Sequence, residues 1–286
     1  EAQSAYITLD VVEALKARVY LEMEDYQNAA AAAQGLINSK RYTLISDGDA
    51  YKKMWLNDVG TEAIWQFAMS KTETGSNALG SSFMGIVDKL PRPSYLPVKS
   101  VLNLYDKEND IRYDAYFTTG LIDRQVGDDI EVTYCSKWPG NPELYEGKSN
   151  NVNKLKAFRI SEMYLIAAEA YAMLNQEDKA SEMLNELKKI RIKGWTETVY
   201  NGAALMQEIQ DERVRELFAE GNRLFDMKRW KIGMKRSSSD AQRDDYLPAL
   251  GTDIEKEATD NRWVWPIPKD EMDSNPQLKG QQNPGY

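Results

Sequence analysis

Apolar residues near the start of the chain recur at the spacing of a helix. Between residues 8 and 24, four of them follow one another at intervals of three or four: Val12, Leu15, Val19 and Met23. This period is typical of one face of an α-helix. Residues 26–39 carry a second, alanine-rich helical pattern after a turn. The sequence therefore predicts a helical hairpin with the four apolar side chains in its buried stripe.

A second hairpin is predicted over residues 157–174 and 177–192, and it matches the first at an offset of 151 residues. Under this offset four pairs of like residues coincide: Ala17 with Ala168, Tyr20 with Tyr171, Ala29 with Ala180, and Leu36 with Leu187. Small residues at such positions are typical of tetratricopeptide repeats, because they let paired helices pack closely. We predict a mainly α, tetratricopeptide-like helical-hairpin scaffold. Two unrelated amphipathic hairpins are the alternative.

The segment between the hairpins, residues 46–150, has a different composition. It holds 9 of the 17 glycines and 5 of the 10 prolines, and such a density breaks helices and favours loops and short strands. The segment is also rich in aromatic residues. It is predicted to be an irregular, loop-rich insertion lobe and the candidate ligand-binding region.

Beyond the second hairpin, the pattern predicts a helix over residues 203–219 and an amphipathic continuation to Trp230. Residues 235–261 are polar and predict a long exposed loop, and residues 263–286 predict an extended segment that packs back. Four segments of one domain result: an N-terminal hairpin (1–45), the lobe (46–150), the second hairpin with its following helices (151–234), and an exposed loop with a docking segment (235–286).

Composition excludes several kinds of chemistry. The chain has no histidine and a single cysteine, Cys135. It therefore cannot form a histidine-based catalytic unit, an internal disulfide or a multi-cysteine metal site. We predict no cofactor, no metal and no catalytic residue, and we expect a buried or half-buried thiol and not a nucleophile. The net charge of −9 argues against nucleic-acid binding, which requires clustered positive charge.

Two features bear on location. No apolar stretch approaches the ~20 residues of a membrane-spanning helix, so the chain is expected to be soluble. It begins with Glu1, and no signal segment precedes the first helical pattern, which indicates a processed chain or a fragment.

Four motifs in the second half of the chain resemble a family pattern. Residues 159–170 read RISEMYLIAAEA, similar to an Arg-x-x-Glu-x-Tyr-Leu-x-x-Ala-Glu-Ala signature. The others follow in family order: DERVREL at 211–217 leading into EGNRLFDMKRW at 220–230, WPIP at 265–268, and NPQL at 275–278 before QNPGY at 282–286. On these motifs the chain resembles the C-terminal portion of the SusD/RagB family of Bacteroidetes outer-membrane nutrient-binding lipoproteins.

This resemblance implies that the protein captures a glycan, an oligosaccharide or another nutrient at the cell surface, as part of polysaccharide utilisation. It implies delivery of that ligand, without catalysis, to a SusC-like TonB-dependent transporter. It also implies a surface-exposed outer-membrane location through a lipid anchor that this chain lacks, since Cys135 is interior in the sequence. The alternatives are a tetratricopeptide-like protein-interaction scaffold and a glycoside hydrolase that uses two carboxylates and needs no histidine.

Candidate ligand-binding residues are aromatic side chains with polar neighbours. An aromatic ring stacks on the apolar face of a sugar while polar groups bind the hydroxyls. Three groups in the lobe offer this mixture: Trp138, Tyr134 and Tyr145 with Asn141; Tyr113 and Tyr116 with Arg112; and Trp55 with Trp65.

The family motifs themselves are predicted to be structural. The tryptophans at 230, 263 and 265 adjoin helix or proline-rich segments and are expected to be core or docking residues. Helical spacing predicts local ion pairs between Arg159 and Glu162 and between Asp211 and Arg215.

Overall fold

A computed structural model describes residues 6–71, 79–87, 89–124, 127–149, 151–242 and 255–286. The chain forms two compact units, Glu1–Glu220 and Gly221–Tyr286. The first contains both predicted hairpins and the lobe. The division by sequence into four segments remains a prediction.

The helices of the first unit, in chain order, are α1 (Leu9–Glu22), α2 (Tyr26–Asn38), α3 (Gly48–Leu56), α4 (Ser81–Met84), α5 (Lys99–Leu102), α6 (Tyr113–Tyr116), α7 (Ile160–Met173), α8 (Glu177–Arg191) and α9 (Gly202–Glu216). Its strands are β1 (Ala63–Gln66), β2 (Ile86–Val87), β3 (Leu90–Pro91), β4 (Phe117–Ile122), β5 (Ile130–Cys135) and β6 (Lys156–Arg159). The second unit holds α10 (Arg223–Arg229), α11 (Lys269–Ser274), β7 (Met234–Lys235) and β8 (Glu255–Lys256).

The two hairpins have the repeat relation that the sequence predicts. Helix α1 shifted by 151 residues coincides with α7 at both ends, and α2 shifted likewise begins where α8 begins. Each hairpin turns on a residue with positive φ, Glu24 in the first and Asn175 in the second, and these two positions are also 151 apart. The mainly helical, tetratricopeptide-like fold is therefore confirmed.

Alanines allow the helices to pack closely. Helix α2 lies between α1 and α7, and α7 in turn contacts α8 and α9. The alanines that the offset pairs, Ala17 with Ala168 and Ala29 with Ala180, are all fully buried. Residues 160–170 of α7 are buried on every face, as expected for a helix surrounded by others.

The apolar stripe predicted on α1 is wrong. Its members are exposed to solvent by 39% to 67%: Val12, Leu15, Val19 and Met23. The residues that α1 buries are Val11, Ala14, Ala17 and Leu21. The reason is that close approach to α2 and α7 selects the small side chains of α1, so its bulkier apolar face points outward.

The lobe combines short strands with one helix of nine residues. Strand β1 pairs antiparallel with β6, which leads directly into α7, and β4 pairs antiparallel with β5. Loops and short strands follow the prediction, whereas α3 was not predicted. Its N-cap is Asp47, whose side chain accepts a hydrogen bond from the Ala50 backbone. In the second unit, residues 243–254 of the predicted loop lie outside the described residues, and the segment expected to be extended contains α11.

None of the helices that the structure describes is long and apolar enough to cross a membrane.

The single thiol gives a test of this interior. Cys135 ends β5 and is buried, and burial raises the pKa of its thiol to about 11. We expect Ellman's reagent at about pH 8 to react slowly with the native protein, because the thiolate is the reacting species. Reaction should become fast and stoichiometric in concentrated guanidinium chloride, and the Cys135→Ser variant should give no signal. Fast labelling of the native protein would contradict the burial.

Candidate functional site

Two arginines of the helical scaffold bind two glutamates in the interior. Arg159, at the end of β6, donates to Glu62 at 3.0 Å and to Glu216 at 2.9 Å. Arg191, at the end of α8, donates to the same carboxylates at 2.9 and 2.8 Å. All four side chains are buried. Buried charges of this kind are stable only when they are paired and hydrogen-bonded.

The lobe joins this network through two further cations. Arg112 binds Asp110 through two nitrogens and donates to Glu216 at 3.0 Å. Lys137 donates to Glu220 and to the Phe218 carbonyl, each at 2.7 Å. The last turn of α9 and the residues after it thus bind the lobe and the scaffold together.

Glutamates spaced four residues apart supply the negative charge. Glu212 and Glu216 fall on one side of α9, Glu220 follows in the turn after the helix, and all three are buried or nearly so. Burial alone would raise the pKa of Glu212, but Arg112 and Arg215 lower it to about 2. Arg191 and Arg159 outweigh burial in the same way and hold the pKa of Glu216 well below its usual range.

Trp55 on α3 is surrounded by cations. The Nζ of Lys137 lies 4.1 Å from its ring centroid, Lys156 Nζ lies at 4.9 Å, and the Arg159 guanidinium carbon lies at 5.2 Å. Trp138 meets the same ring edge to face at 5.1 Å. Cations over aromatic rings are stabilised by the ring quadrupole, more strongly where water is excluded. Burial lowers the pKa of Lys137 to about 8, although Glu220 acts in the opposite direction.

The structure places most of the predicted ligand residues in this interior. Six of the nine are buried: Trp138, Tyr134, Asn141, Tyr116, Arg112 and Trp55. Trp138 is 2% exposed and its indole N–H donates to the Ala219 carbonyl. Asn141 donates to Asp58 at 2.8 Å. A ring enclosed by protein offers no face to a sugar, so the stacking and polar roles predicted for these six are corrected to roles in the core.

The predicted ion pairs are also corrected. Arg159 binds the distant carboxylates described above, while Glu162 binds Arg18 of α1 at 2.6 and 2.8 Å. Arg215 binds Glu212, three residues away, at 2.6 Å. Asp211 accepts from Gln207 at 3.0 Å. The motif residues are structural as expected, but Arg159 and Glu162 have distant partners, and Asp211 and Arg215 each pair with a different nearby residue.

Three predicted residues stay partly exposed: Trp65, Tyr145 and Tyr113. Trp65 and Phe67 are two residues apart along the β1 segment, so both point to the same face, and their ring centroids are 4.6 Å apart. Phe67 is 45% exposed. We call Trp65 and Phe67 the aromatic surface of the lobe. An ion pair of 3.2 Å between Lys71 and Glu146 ties the chain after Phe67 to the chain after Tyr145.

Packing beneath this surface fixes Trp65. The ring of Phe158, its partner across the β1–β6 pair, stacks on it with a centroid distance of 6.5 Å. The Arg18 guanidinium carbon lies 4.2 Å from the centroid of Phe158 on α1's side. Phe67 was missed from the sequence, although the Trp-x-Phe alternation of a half-buried strand is the signal that identifies it.

Other exposed or partly exposed rings of the lobe lie away from Trp65. Tyr95 is exposed and its centroid is 6.3 Å from that of Phe83. Tyr113 has the Lys107 ammonium 5.5 Å above its ring. The structure thus joins members of two different predicted groups, Trp55 and Trp138, in the core, and the partly exposed rings lie at several places in the lobe.

Comparison with known proteins identifies the family. A model of the SusD family matches residues 118–286, which is more than half of the chain, and the chain belongs to this family. SusD-like protein P38 of Formosa agariphila is 25% identical over 311 aligned residues. A SusD superfamily protein of Bacteroides thetaiotaomicron superposes with a TM-score of 0.79 at 27% identity, covering 99% of this chain. A surface glycan-binding protein A of Bacteroides uniformis shares the fold, with a TM-score of 0.69 at 20% identity over 98% of this chain.

These relatives are longer than this chain. The alignment with P38 covers 93% of this chain and 58% of the relative, and the superposition on the Bacteroides thetaiotaomicron protein covers 62% of that protein. The Bacteroides uniformis protein is covered over 61% of its length.

Replacement of Trp138 distinguishes a core role from a stacking role. We expect Trp138→Ala to lower the free energy of unfolding by about 3–5 kcal/mol, because it leaves a cavity next to buried charges. Denaturant unfolding measures this change. Trp65→Ala, at the lobe surface, is the matched control and should cost clearly less. An unchanged unfolding midpoint for Trp138→Ala would contradict the buried position.

The lowered carboxyl pKa values predict sensitivity to acid. A carboxylate whose pKa is lower in the folded than in the unfolded state stabilises the protein above its ordinary pKa and loses that effect as pH falls through its folded pKa. For Glu212 this window runs from 4.5 down to about 2. We expect the free energy of unfolding to fall across it by on the order of 3 kcal/mol from this residue alone. Urea unfolding at successive pH values measures it, and a flat profile across the window would contradict the ionic interior.

Proposed function

We propose that this chain is part of a non-catalytic, cell-surface protein that binds a glycan or oligosaccharide and delivers it to a SusC-like TonB-dependent outer-membrane transporter. The match of residues 118–286 to the SusD family carries the proposal. It is supported by the shared fold with a surface glycan-binding protein of Bacteroides uniformis and with a protein of Bacteroides vulgatus described as a putative sugar-binding protein.

The aromatic surface of the lobe is suited to this role. Exposed rings stack on the apolar faces of sugars, and Lys71 and Glu146, both exposed on the lobe, offer hydrogen bonds to hydroxyl groups. Trp65 is held by Phe158 below it, so little side-chain entropy is lost when a ligand binds. Affinity then comes from stacking, and orientation from the polar side chains.

Binding without bond cleavage is supported by the state of the central carboxylates. Glu62 and Glu216 are close to each other through shared arginines, as two hydrolytic carboxylates would have to be, but both are buried and ion-paired. A general acid must be protonated near neutral pH, whereas the pKa of Glu216 is held well below its usual range despite burial.

Location at the outer membrane is the part of the proposal that depends most on the family. We propose a surface-exposed protein held at the outer membrane by a lipid anchor. The transporter partner is inferred on the same basis.

One observation favours the protein-interaction alternative. The outer face of α1 exposes Val12, Leu15, Val19 and Met23, and a contiguous apolar face of this kind is typical of a contact surface. A scaffold role is therefore tested together with sugar binding.

The proposal is tested by affinity electrophoresis against a panel of neutral and acidic polysaccharides, followed by calorimetry with the best ligand. We expect retardation by at least one polysaccharide, and we expect Phe67→Ala or Trp65→Ala to weaken binding by about 1–3 kcal/mol, as for aromatic stacking on bases. Phe225→Ala, an exposed ring of the second unit, is the control and should leave binding unchanged.

Three results would contradict the proposal. Release of shorter sugars, seen by chromatography, would favour the hydrolase. Failure to bind any polysaccharide while capturing a purified TonB-dependent transporter would favour the scaffold. Binding that both lobe variants leave intact would move the site away from the aromatic surface.

A further inference from the structure

The second unit contains a cavity of about 280 Å³ that the proposed function does not use. It lies between α10 and the C-terminal segment, and its walls include Lys228, Asn261, Trp263 and Asn283. Its volume is just below the roughly 300–1,000 Å³ typical of small-molecule sites. A cavity of this size accommodates one sugar ring better than a longer chain.

The aromatic wall of the cavity is held in place. The indole N–H of Trp263 donates to the Glu257 carbonyl at 2.7 Å, and the Lys256 ammonium lies 5.4 Å from the ring centroid. Trp263 is only partly exposed, whereas Trp265, two residues later, is 76% exposed and does not line the cavity. The sequence predicted docking or core roles for both tryptophans, but only Trp263 lines the cavity.

The polar walls are available for a ligand. Within the described part of the chain, the side chains of Lys228 and Asn261 make no hydrogen bond or ion pair. The Asn283 side-chain nitrogen donates to the Trp265 carbonyl at 2.6 Å. This bond does not use the side-chain oxygen of Asn283.

The charge of the cavity is positive. Asp260 also lines it, but its carboxylate is bound by Arg262 through two nitrogens, at 2.7 and 3.0 Å. This pair is neutral as a whole. The charge of Lys228 therefore stands uncompensated at the wall. Lys256, which lies outside the lining, places its ammonium beside the tryptophan.

We propose that this cavity binds a single acidic sugar residue, one that carries a carboxylate or a sulfate, of the glycan taken up by the protein. Trp263 stacks on the sugar ring, Lys228 pairs with the anionic group, and Asn261 and Asn283 bind hydroxyls. The inference rests on the proposed function and adds to it a second site and a class of sugar.

The test uses the full chain and saturation-transfer NMR with four monosaccharides: galacturonic acid, galactose 6-sulfate, galactose and glucose. We expect the two acidic sugars to bind at least about tenfold more tightly than the neutral ones, and to lose affinity between about 0.05 and 0.5 M sodium chloride as the charges are screened. A response to the carboxylate but not to the sulfate, or the reverse, identifies the anionic group.

Variants connect the binding to the cavity. We expect Trp263→Ala to abolish the transfer signal and Lys228→Met to remove the preference for acidic over neutral sugars. Trp265→Ala is the matched control and should bind as the unaltered chain does. Circular dichroism establishes whether the variants are folded. Lys228 is exposed, so Lys228→Met still tests the proposal if Trp263→Ala fails to fold.

The inference would be overturned by equal binding of acidic and neutral sugars, or by Lys228→Met and Trp265→Ala behaving alike. If polysaccharide retardation persists and still depends on Phe67, the inference alone has failed. If no sugar or polysaccharide binds at all, the proposed function has failed with it.

Discussion

Glu216 is the residue on which the first unit depends. Its carboxylate is bound by Arg112 from the lobe, by Arg159 at the entry to α7 and by Arg191 at the end of α8. Removing one partner of such a buried group leaves the others uncompensated, which typically costs about 3–5 kcal/mol. All three arginines meet at one carboxylate that is supplied by α9. The stability of the lobe is therefore coupled to that of the helical scaffold.

This constraint explains where the aromatic residues lie. Buried cations need a surrounding that is apolar yet able to stabilise positive charge, and the faces of Trp55 and Tyr116 provide it. Lys137 lies 4.1 and 3.9 Å from their ring centroids. Rings used in this way are withdrawn from the surface. Phe67, which is in none of these cation contacts, is 45% exposed.

The sequence could predict the helices because their determinants are local. The repeat offset of 151 residues depends on small residues and turns that act within one hairpin, and it locates both ends of α7 from those of α1. It could not predict the ionic interior, since Arg159 and Arg191 bind Glu62 across 97 and 129 residues. Local spacing suggested Glu162 as the partner of Arg159 instead. The prediction of the α1 stripe failed for a different reason. Hydrophobicity favours burial of valine and leucine over alanine, whereas close packing of helices favours alanine at the contact.

The same distinction applies to ligand sites. An aromatic residue in a loop-rich segment is equally compatible with a stacking platform and with a core, and only the position of its neighbours separates the two. Trp138 had every local feature of a platform but is enclosed, while Phe67 follows a strand and is exposed. A stacking residue must combine an open face with a fixed back, because a mobile ring loses in entropy what it gains in contact. Trp65 meets the second condition through Phe158, and Trp263 meets it through the carbonyl of Glu257. These two rings differ in their surroundings: Phe158 stacks beneath the first, while the Lys256 ammonium lies 5.4 Å from the centroid of the second. Under the proposed function, the charge of the sugar, more than the stacking itself, would determine which of the two rings it prefers.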